Sequence, residues 1–463
     1  MMTVKQAAAA LQIDWFEKDV FFTGVSTDSR TLKSGDLFIA LSGKNFEGGK
    51  FVSNAIKQGA VAAIVNENVT FDQPASSVPI LKVKDTRCSL GQLAAFWRNQ
   101  FKLPVIGITG SNGKTTVKEM IAAILRKATR IKESSVVQAN DFVLATEGNL
   151  NNDIGVPLML LRLRQHHQYA VFEMGMNHIG EIAYLTQLVK PDVALITNAG
   201  NAHIEGLGSI EAVARAKAEI FQGLHHQGTA IINADDTYAP LWRDYASSYP
   251  KIDFGLRQPA QISATYQMNA LTSQMQLKLP DGEVTVHLQV PGVHNIYNAL
   301  AATAATVALR INKTQIATGL ESFTGVKGRI QKRRGLHNTL LLDDTYNANP
   351  DSVSAALAVL AASSGKKILV LGDMGELGDS AIRLHQKIGQ DARNAGLDRL
   401  LTLGKLSAYA TEEFGKGAQH FDSIDDLLNA AGSLLANDAT FLIKGSRFMQ
   451  MERVVQHLEI PSA

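Results

Sequence analysis

The stretch Pro104-Val-Ile-Gly-Ile-Thr-Gly-Ser-Asn-Gly-Lys-Thr-Thr116 decides the fold of this chain. It opens as an apolar run without polar alternation, the pattern of a strand covered on both faces, and stops at a glycine turn. Helical periodicity follows from Val117 to Lys127. Strand, glycine-rich loop and helix in that order build a phosphate site. Glycines let backbone N–H groups approach phosphate oxygens, and the helix N-terminus adds a favourable dipole. Gly110, Ser111, Asn112, Gly113, Lys114, Thr115 and Thr116 are therefore the expected ATP contacts. Lys114 would reach the terminal phosphates, and the Thr115 hydroxyl would ligate a magnesium ion. The commoner loop carries a glycine where this chain has Ile108; here the first glycine is Gly110.

Working outward, Tyr169–Met174, Val193–Asn198 and Thr229–Asn233 read as further buried strands with helical patterns between them. Such alternation favours a doubly wound, mainly parallel sheet. Met275–Leu279 and Val284–Leu288 alternate, which suggests an antiparallel ribbon at its edge, and an alanine-rich helix runs from Asn295 to Leu309. Upstream, Asp36–Leu41, Ala62–Val65 and Val78–Val83 read as strands, with helices over Phe51–Gln58 and Thr86–Phe101. Beyond the glycine- and charge-rich Phe323-Thr-Gly-Val-Lys-Gly-Arg329, Thr339–Asp344, Lys367–Gly372, Arg399–Gly404 and Thr440–Gly445 read as strands of another unit. The expected fold is α/β in three domains: an N-terminal domain over 1–102, a central doubly wound P-loop ATPase-type domain over 103–324, and a C-terminal Rossmann-like α/β domain over 325–463.

Composition narrows the function classes. Apolar residues at 45% and charged residues at 19% are ordinary for a globular protein. A formal net charge of +2 gives no general case for nucleic acid or an anionic membrane, so anion binding must come from local sites. The single cysteine, Cys88, excludes an intramolecular disulfide and a cysteine-rich metal site, and fits a reducing compartment. The apolar run Ala7–Ala10 is interrupted by Asp14, Glu17, Lys18 and Asp19, so it reads as a short helix and not as a signal peptide. With no membrane segment or interaction tail evident, a cytoplasmic monomer is expected.

The loop Thr109-Gly-Ser-Asn-Gly-Lys-Thr-Thr116 resembles that of the Mur ligases and folylpolyglutamate synthases, which join an amino acid or peptide to a carboxylate. Thr146-Glu-Gly-Asn-Leu-Asn-Asn-Asp-Ile-Gly-Val-Pro157, Ala202-His-Ile-Glu-Gly-Leu-Gly-Ser209, Asp343-Asp-Thr-Tyr-Asn-Ala-Asn-Pro350, Leu371-Gly-Asp-Met-Gly-Glu-Leu-Gly378 and Lys444-Gly-Ser-Arg447 resemble the branch of the Mur family that adds D-alanyl-D-alanine. One departure is Asn45-Phe-Glu-Gly-Gly-Lys-Phe51, where the family often has an Asp-Gly-His triplet.

The resemblance implies a UDP-linked tripeptide precursor at Thr27, Asp28, Ser29, Arg30 and Asn45, although Thr-Asp-Ser-Arg read alone is a polar turn. It makes Glu173, His203 and Thr115 ligands of two magnesium ions. It also makes Lys217, which alone reads as a solvated helical lysine, a carbon dioxide adduct (a carbamate) that serves as a further ligand. Asn295 and Asn298 would contact adenine, with N-capping as the competing reading of Asn295. Arg329 would reach the ATP phosphates and Asp344 the ribose. Asn149, Asn151, Asn152, Asn347, Asn349, Lys444 and Arg447 are the peptide-binding candidates.

The implied reaction needs no covalent enzyme intermediate. The peptide carboxylate takes the γ-phosphoryl group of ATP, and the amine of D-alanyl-D-alanine displaces phosphate from the acyl phosphate. Lys114, His203, Lys217 and Arg329 are the residues expected to carry this chemistry. Another Mur ligase, a folylpolyglutamate synthase and a nucleotide-operated switch are the competing readings. Lys114 and Arg329 belong to different domains, so the C-terminal domain is expected to swing over the central sheet about Gly325 and Gly328, from an open form with Arg329 far from Lys114.

Overall fold

In the structure, a computed structural model of the chain, Val105–Thr109 is a strand buried at every position. The structure describes residues 1–15, 17–43, 46–69, 78–129, 142–201, 204–269 and 271–460. Val105–Thr109 sits inside a six-stranded, wholly parallel sheet in the order Val143–Ala145, Tyr169–Glu173, Val105–Thr109, Val193–Ile196, Thr229–Asn233, Lys251–Phe254. The strand order reverses on either side of Val105–Thr109. Its carboxyl end is therefore a topological switch point, where sheets of this kind bind ligands.

Side-chain alternation explains the double cover. Ile106, Ile108, Val171, Val193, Leu195 and Ile231 pack against helices Lys114–Ala128 and Val293–Ala308, whereas Val105, Phe172, Ile196 and Ile232 face the opposite layer. That opposite layer is shared with the N-terminal domain. Leu90, Leu93 and Ala94, on helix Thr86–Arg98, belong to the same apolar cluster as Leu160, Leu185 and Leu188. Arg98 donates to the carbonyls of Val189, Lys190 and Phe101, and Trp97 Nε1 to Leu163 O at 3.1 Å. The N-terminal domain is thus packed rigidly on the central one. Its own parallel sheet runs Gly24–Ser26, Asp36–Ile39, Ala62–Asn66, Ile80–Val83.

The antiparallel ribbon is a separate sheet of three strands, Ser263–Met268, Ser273–Leu279 and Gly282–Leu288, where the alternation had indicated two strands at the edge of the parallel sheet. The C-terminal domain holds a six-stranded sheet in the order Gln331–Arg334, Leu340–Asp344, Ala439–Lys444, Lys366–Gly372, Arg399–Leu403, Ala418–Phe421, with only the first strand antiparallel. Among the described residues no helix is long and apolar enough to cross a membrane.

Candidate active site

The loop after Val105–Thr109 is shaped by two glycines. Gly110 (φ 149°) and Gly113 (φ 84°) adopt backbone that L side chains avoid, and a Cβ on them would overlap Thr197 Oγ1 and Asn298 Oδ1. The helix begins at Lys114, three residues before the apolar pattern starts, with left-handed Gly113 as its N-cap. Asn198 buttresses the loop: its side chain accepts from Asn112 N at 2.9 Å and donates to Asn112 O at 3.0 Å, while Thr197 Oγ1 donates to the same carbonyl. Lys114 Nζ donates to Gly110 O at 2.6 Å. Burial pushes its ammonium pKa down, Glu173 opposes this and Arg329 adds to it. Thr115 and Thr116 occupy the first helical turn, whose backbone donors lack intrahelical acceptors.

Two cavities meet at this loop. One, of about 380 Å³, is lined by Thr116, Asn295, Asn298, Asp344 and Lys444, among others. Asn295 lies inside helix Val293–Ala308 and Gly292 is the N-cap, so Asn295 does not cap that helix. Its amide instead donates to Pro291 O and accepts from Asn298 Nδ2 at 3.0 Å. Burial and the nearby Lys444 ammonium hold neighbouring His294 at a pKa of about 4, so it is neutral near pH 7. Asp344 accepts from Lys444 Nζ at 2.6 Å and from Ile330 N at 3.2 Å. Lys444 Nζ also donates to Asn347 O at 2.9 Å, so Lys444 lines this cavity with its ammonium already paired.

The second cavity, of about 870 Å³, is lined by Lys114, Thr115, Asn151, Asn152, Glu173, Asn347, Asn349, Arg447 and Phe448, among others. Glu173 is 2% exposed; Asn151 Nδ2 donates to its Oε1 at 2.8 Å, and among the described residues its Oε2 has no hydrogen-bond partner. Asn152 lines the wall but accepts from Gly155 N at 2.8 Å, which ties it to a helix start. Asn149 is exposed and lies outside both cavity linings. Arg447 is paired with Glu452 at 2.9 Å. Asn112, Gly113, Arg329 and Ser352 belong to both linings.

Lys217, on helix Ile210–Ala218, is 2% exposed, which removes the solvated-lysine reading. Among the described residues its amine has no hydrogen-bond or ion-pair partner. Burial, reinforced by Lys114, pushes its pKa far below that of an ordinary lysine. His203 and Asn45 lie outside the described residues. Thr27, Asp28, Ser29 and Arg30 form the turn after Gly24–Ser26; Arg30 pairs with Asp28 at 2.7 Å and Ser29 accepts from Asn54.

The open arrangement expected from the sequence is not the one observed. The C-terminal domain lies against the loop: Asn349 Nδ2 donates to Asn112 Oδ1 at 2.8 Å, and Asp351 accepts from Asn201 N and Nδ2 at 2.8 and 2.9 Å. Arg329, stacked 4.2 Å over the Tyr346 ring, lines the cavity that contains Lys114. Gly325 and Gly328 have φ of 108° and 70°, a backbone suited to glycine at the crossing between domains.

Comparison with known proteins agrees with this architecture. Residues 21–98 match the family model described as Mur ligase family, catalytic domain; 108–306 match the Mur ligase middle domain and 328–447 the Mur ligase, glutamate ligase domain. The chain belongs to the Mur ligase family. It is 40% identical to the UDP-N-acetylmuramoyl-tripeptide–D-alanyl-D-alanine ligase of Escherichia coli (strain K12), over 99% of this chain and 98% of that protein. Among solved structures, the UDP-N-acetylmuramoylalanyl-D-glutamyl-2,6-diaminopimelate–D-alanyl-D-alanyl ligase of Acinetobacter baumannii superposes with a TM-score of 0.84 at 37% identity, covering 98% and 97% of the two chains. The MurF ligase of Thermotoga maritima in complex with ADP gives 0.81 at 27% identity, covering 95% and 98%.

Within this Mur ligase framework, sequence reasoning missed Thr197, Asn198, Asn201 and Asp351. The first two were visible only as a strand end. Their role depends on which strand lies beside the loop, and no local pattern encodes that.

Proposed function

We propose that the chain is an ATP-dependent amide-bond-forming ligase that joins D-alanyl-D-alanine to the peptide carboxylate of UDP-N-acetylmuramoyl-tripeptide, in cytoplasmic cell-wall precursor synthesis. One observation carries this reading. The smaller cavity ends at the phosphate loop, and the larger one opens from the same Asn112, Gly113 and Arg329. A terminal phosphate at that junction faces a chamber of about 870 Å³, which suits a peptide carboxylate better than a lone water.

The chemistry follows from charge. A carboxylate attacking a triphosphate brings two anions together, and Lys114 and Arg329 offset their repulsion from opposite domains. Transfer of the γ-phosphoryl group gives an acyl phosphate and ADP. The dipeptide amine then adds to the carbonyl, and phosphate leaves. Asn151 orients Glu173, and the C-terminal domain, held by Asn112–Asn349 and Asn201–Asp351, keeps water from the acyl phosphate. By this reading adenine lies against Asn295 and Asn298, ribose by Asp344, and the dipeptide by Asn347, Asn349 and Arg447; the N-terminal domain takes the UDP end near Thr27–Arg30.

The donor set fits magnesium. The partnerless Glu173 Oε2 and the Thr115 hydroxyl are hard oxygen ligands on one cavity wall, and two ions there would supply charge neutralisation. Lys217 fits a carbamate: burial and Lys114 favour its neutral, nucleophilic amine, the form that takes up carbon dioxide and so becomes an oxygen donor.

The test is ADP release with each substrate omitted in turn. ADP should form only when UDP-tripeptide and D-alanyl-D-alanine are both present. Rapid release with folate and glutamate, and none with the wall precursors, would overturn the reading.

A further inference from the structure

The larger cavity reaches all three domains, and among the described residues the N-terminal domain contributes one charged side chain to its wall. Arg87 projects from the first turn of helix Thr86–Arg98 and its Nε forms an ion pair with Asp153 of the central domain. Other charged groups on that wall have work elsewhere. Lys114 binds loop carbonyls, Glu173 takes Asn151, Glu181 accepts from Asn177 N and His178 N, and Arg447 pairs with Glu452. Among the described residues the side chains of Arg87 and Asp153 bond only each other, and they are 54% and 28% exposed. A pair that open to solvent adds little to stability, and the shared core around Leu90 and Leu93 already fixes the two domains.

Its position is informative. Asp153 is two residues from Asn151, whose amide holds Glu173 beside the junction with the nucleotide cavity. Two residues of extended chain span about 7 Å at most. The side chain of the residue whose carboxylate reacts is of similar reach, so its far end would fall beside Asp153 and Arg87. A diaminopimelate side chain ends in an ammonium and a carboxylate on one carbon. A lysine side chain ends in the ammonium alone.

We propose that Arg87 and Asp153 together read the zwitterionic end of the third peptide residue, Asp153 taking its ammonium and Arg87 its carboxylate, and so make the enzyme selective for diaminopimelate over lysine. The inference rests on the ligase reading above. It adds that each member of the resident ion pair exchanges its partner for the opposite charge of the substrate, so neither is left unpaired. Lysine would engage Asp153 and strip Arg87 of its partner without replacing it, which penalises the wrong substrate.

The experiment compares kcat/KM for UDP-tripeptides ending in diaminopimelate and in lysine, using the full-length protein, Arg87→Gln and Asp153→Asn, with ADP binding as the check that each variant is folded. The wild type should prefer diaminopimelate. Arg87→Gln should lower kcat/KM for that substrate ten- to a hundredfold, mainly through KM, and reduce the preference at least tenfold. Asp153→Asn should weaken both substrates, since both carry the ammonium. Equal losses on both substrates in Arg87→Gln, or no loss on either, overturns the assignment. A wild type that turns over neither substrate overturns the ligase reading itself, and the assignment with it.

Discussion

Replacing Lys217 with methionine tests the most unusual feature of the site. Methionine keeps an unbranched side chain, one atom shorter, and removes its charge. Burial and Lys114 depress the Lys217 pKa in the folded protein, whereas in the unfolded chain it stays near the ordinary value of 10.5. Between those two values the unfolded state binds one more proton than the folded state, so stability rises with pH. One such group contributes at most about 1.4 kcal/mol per pH unit. Once Lys217 is neutral it has little further effect on Lys114, so other groups contribute equally to both proteins and the difference isolates Lys217. Urea unfolding in carbon dioxide-free buffer should show the wild type gaining stability relative to Lys217→Met as the pH rises toward 10.5. Added bicarbonate should change the wild-type curve only, and the variant should lack ligase activity at any pH. Parallel stability curves would mean a native Lys217 that is charged and solvated, and the carbamate argument would fall with them.

Two further perturbations probe the loop and the domain contact. Gly113→Ala forces a side chain into left-handed backbone, at a cost of about 1–2 kcal/mol, and pushes Asn298 from its place beside Asn295; the melting temperature and ADP affinity should both fall, and unchanged values of both would count against the loop geometry. Asp351→Ala removes two hydrogen bonds from Asn201, worth about 1.5–3 kcal/mol each where the acceptor is charged, so small-angle scattering should show a larger radius of gyration and kinetics a raised KM for ATP, whereas an identical scattering profile would remove the contact from any role in closure.

The parts of the architecture that could be read from sequence are those with uniform burial. Val105–Thr109 and Thr229–Asn233 lie inside a sheet covered on both faces, so their central residues are apolar without alternation. Gly24–Ser26, Gln331–Arg334 and Ala418–Phe421 escaped notice because they are short edge strands whose polar, part-exposed residues carry no period. The phosphate loop was legible because backbone strain demands glycine at Gly110 and Gly113. The burial of Lys217 was not legible: its helix has alanine at three neighbouring positions, a pattern that does not reveal which face the lysine occupies. Likewise Lys444 looked free to bind a carboxylate until the parallel register Asp344↔Lys444 placed it beside an acid of its own sheet.

These placements share an electrostatic logic. Lys114, Lys217, Arg329 and Lys444 are close enough to act on one another: Lys114 depresses the Lys217 pKa, and Arg329 depresses those of Lys114 and Lys444. Of the four, only Lys444 has a carboxylate within hydrogen-bonding distance among the described residues. Gathering cations this way works against the fold, since like charges in a poorly hydrated cleft repel. The repulsion is relieved by a polyanion, so a nucleoside triphosphate binds with the electrostatic work of assembling its site already done by folding. The proposed carbamate would turn the Lys217 amine into an anion and supply an oxygen donor beside Lys114. That change would repel the incoming peptide carboxylate unless divalent ions lay between them, which is why a carbamate and two magnesium ions make sense only as a set.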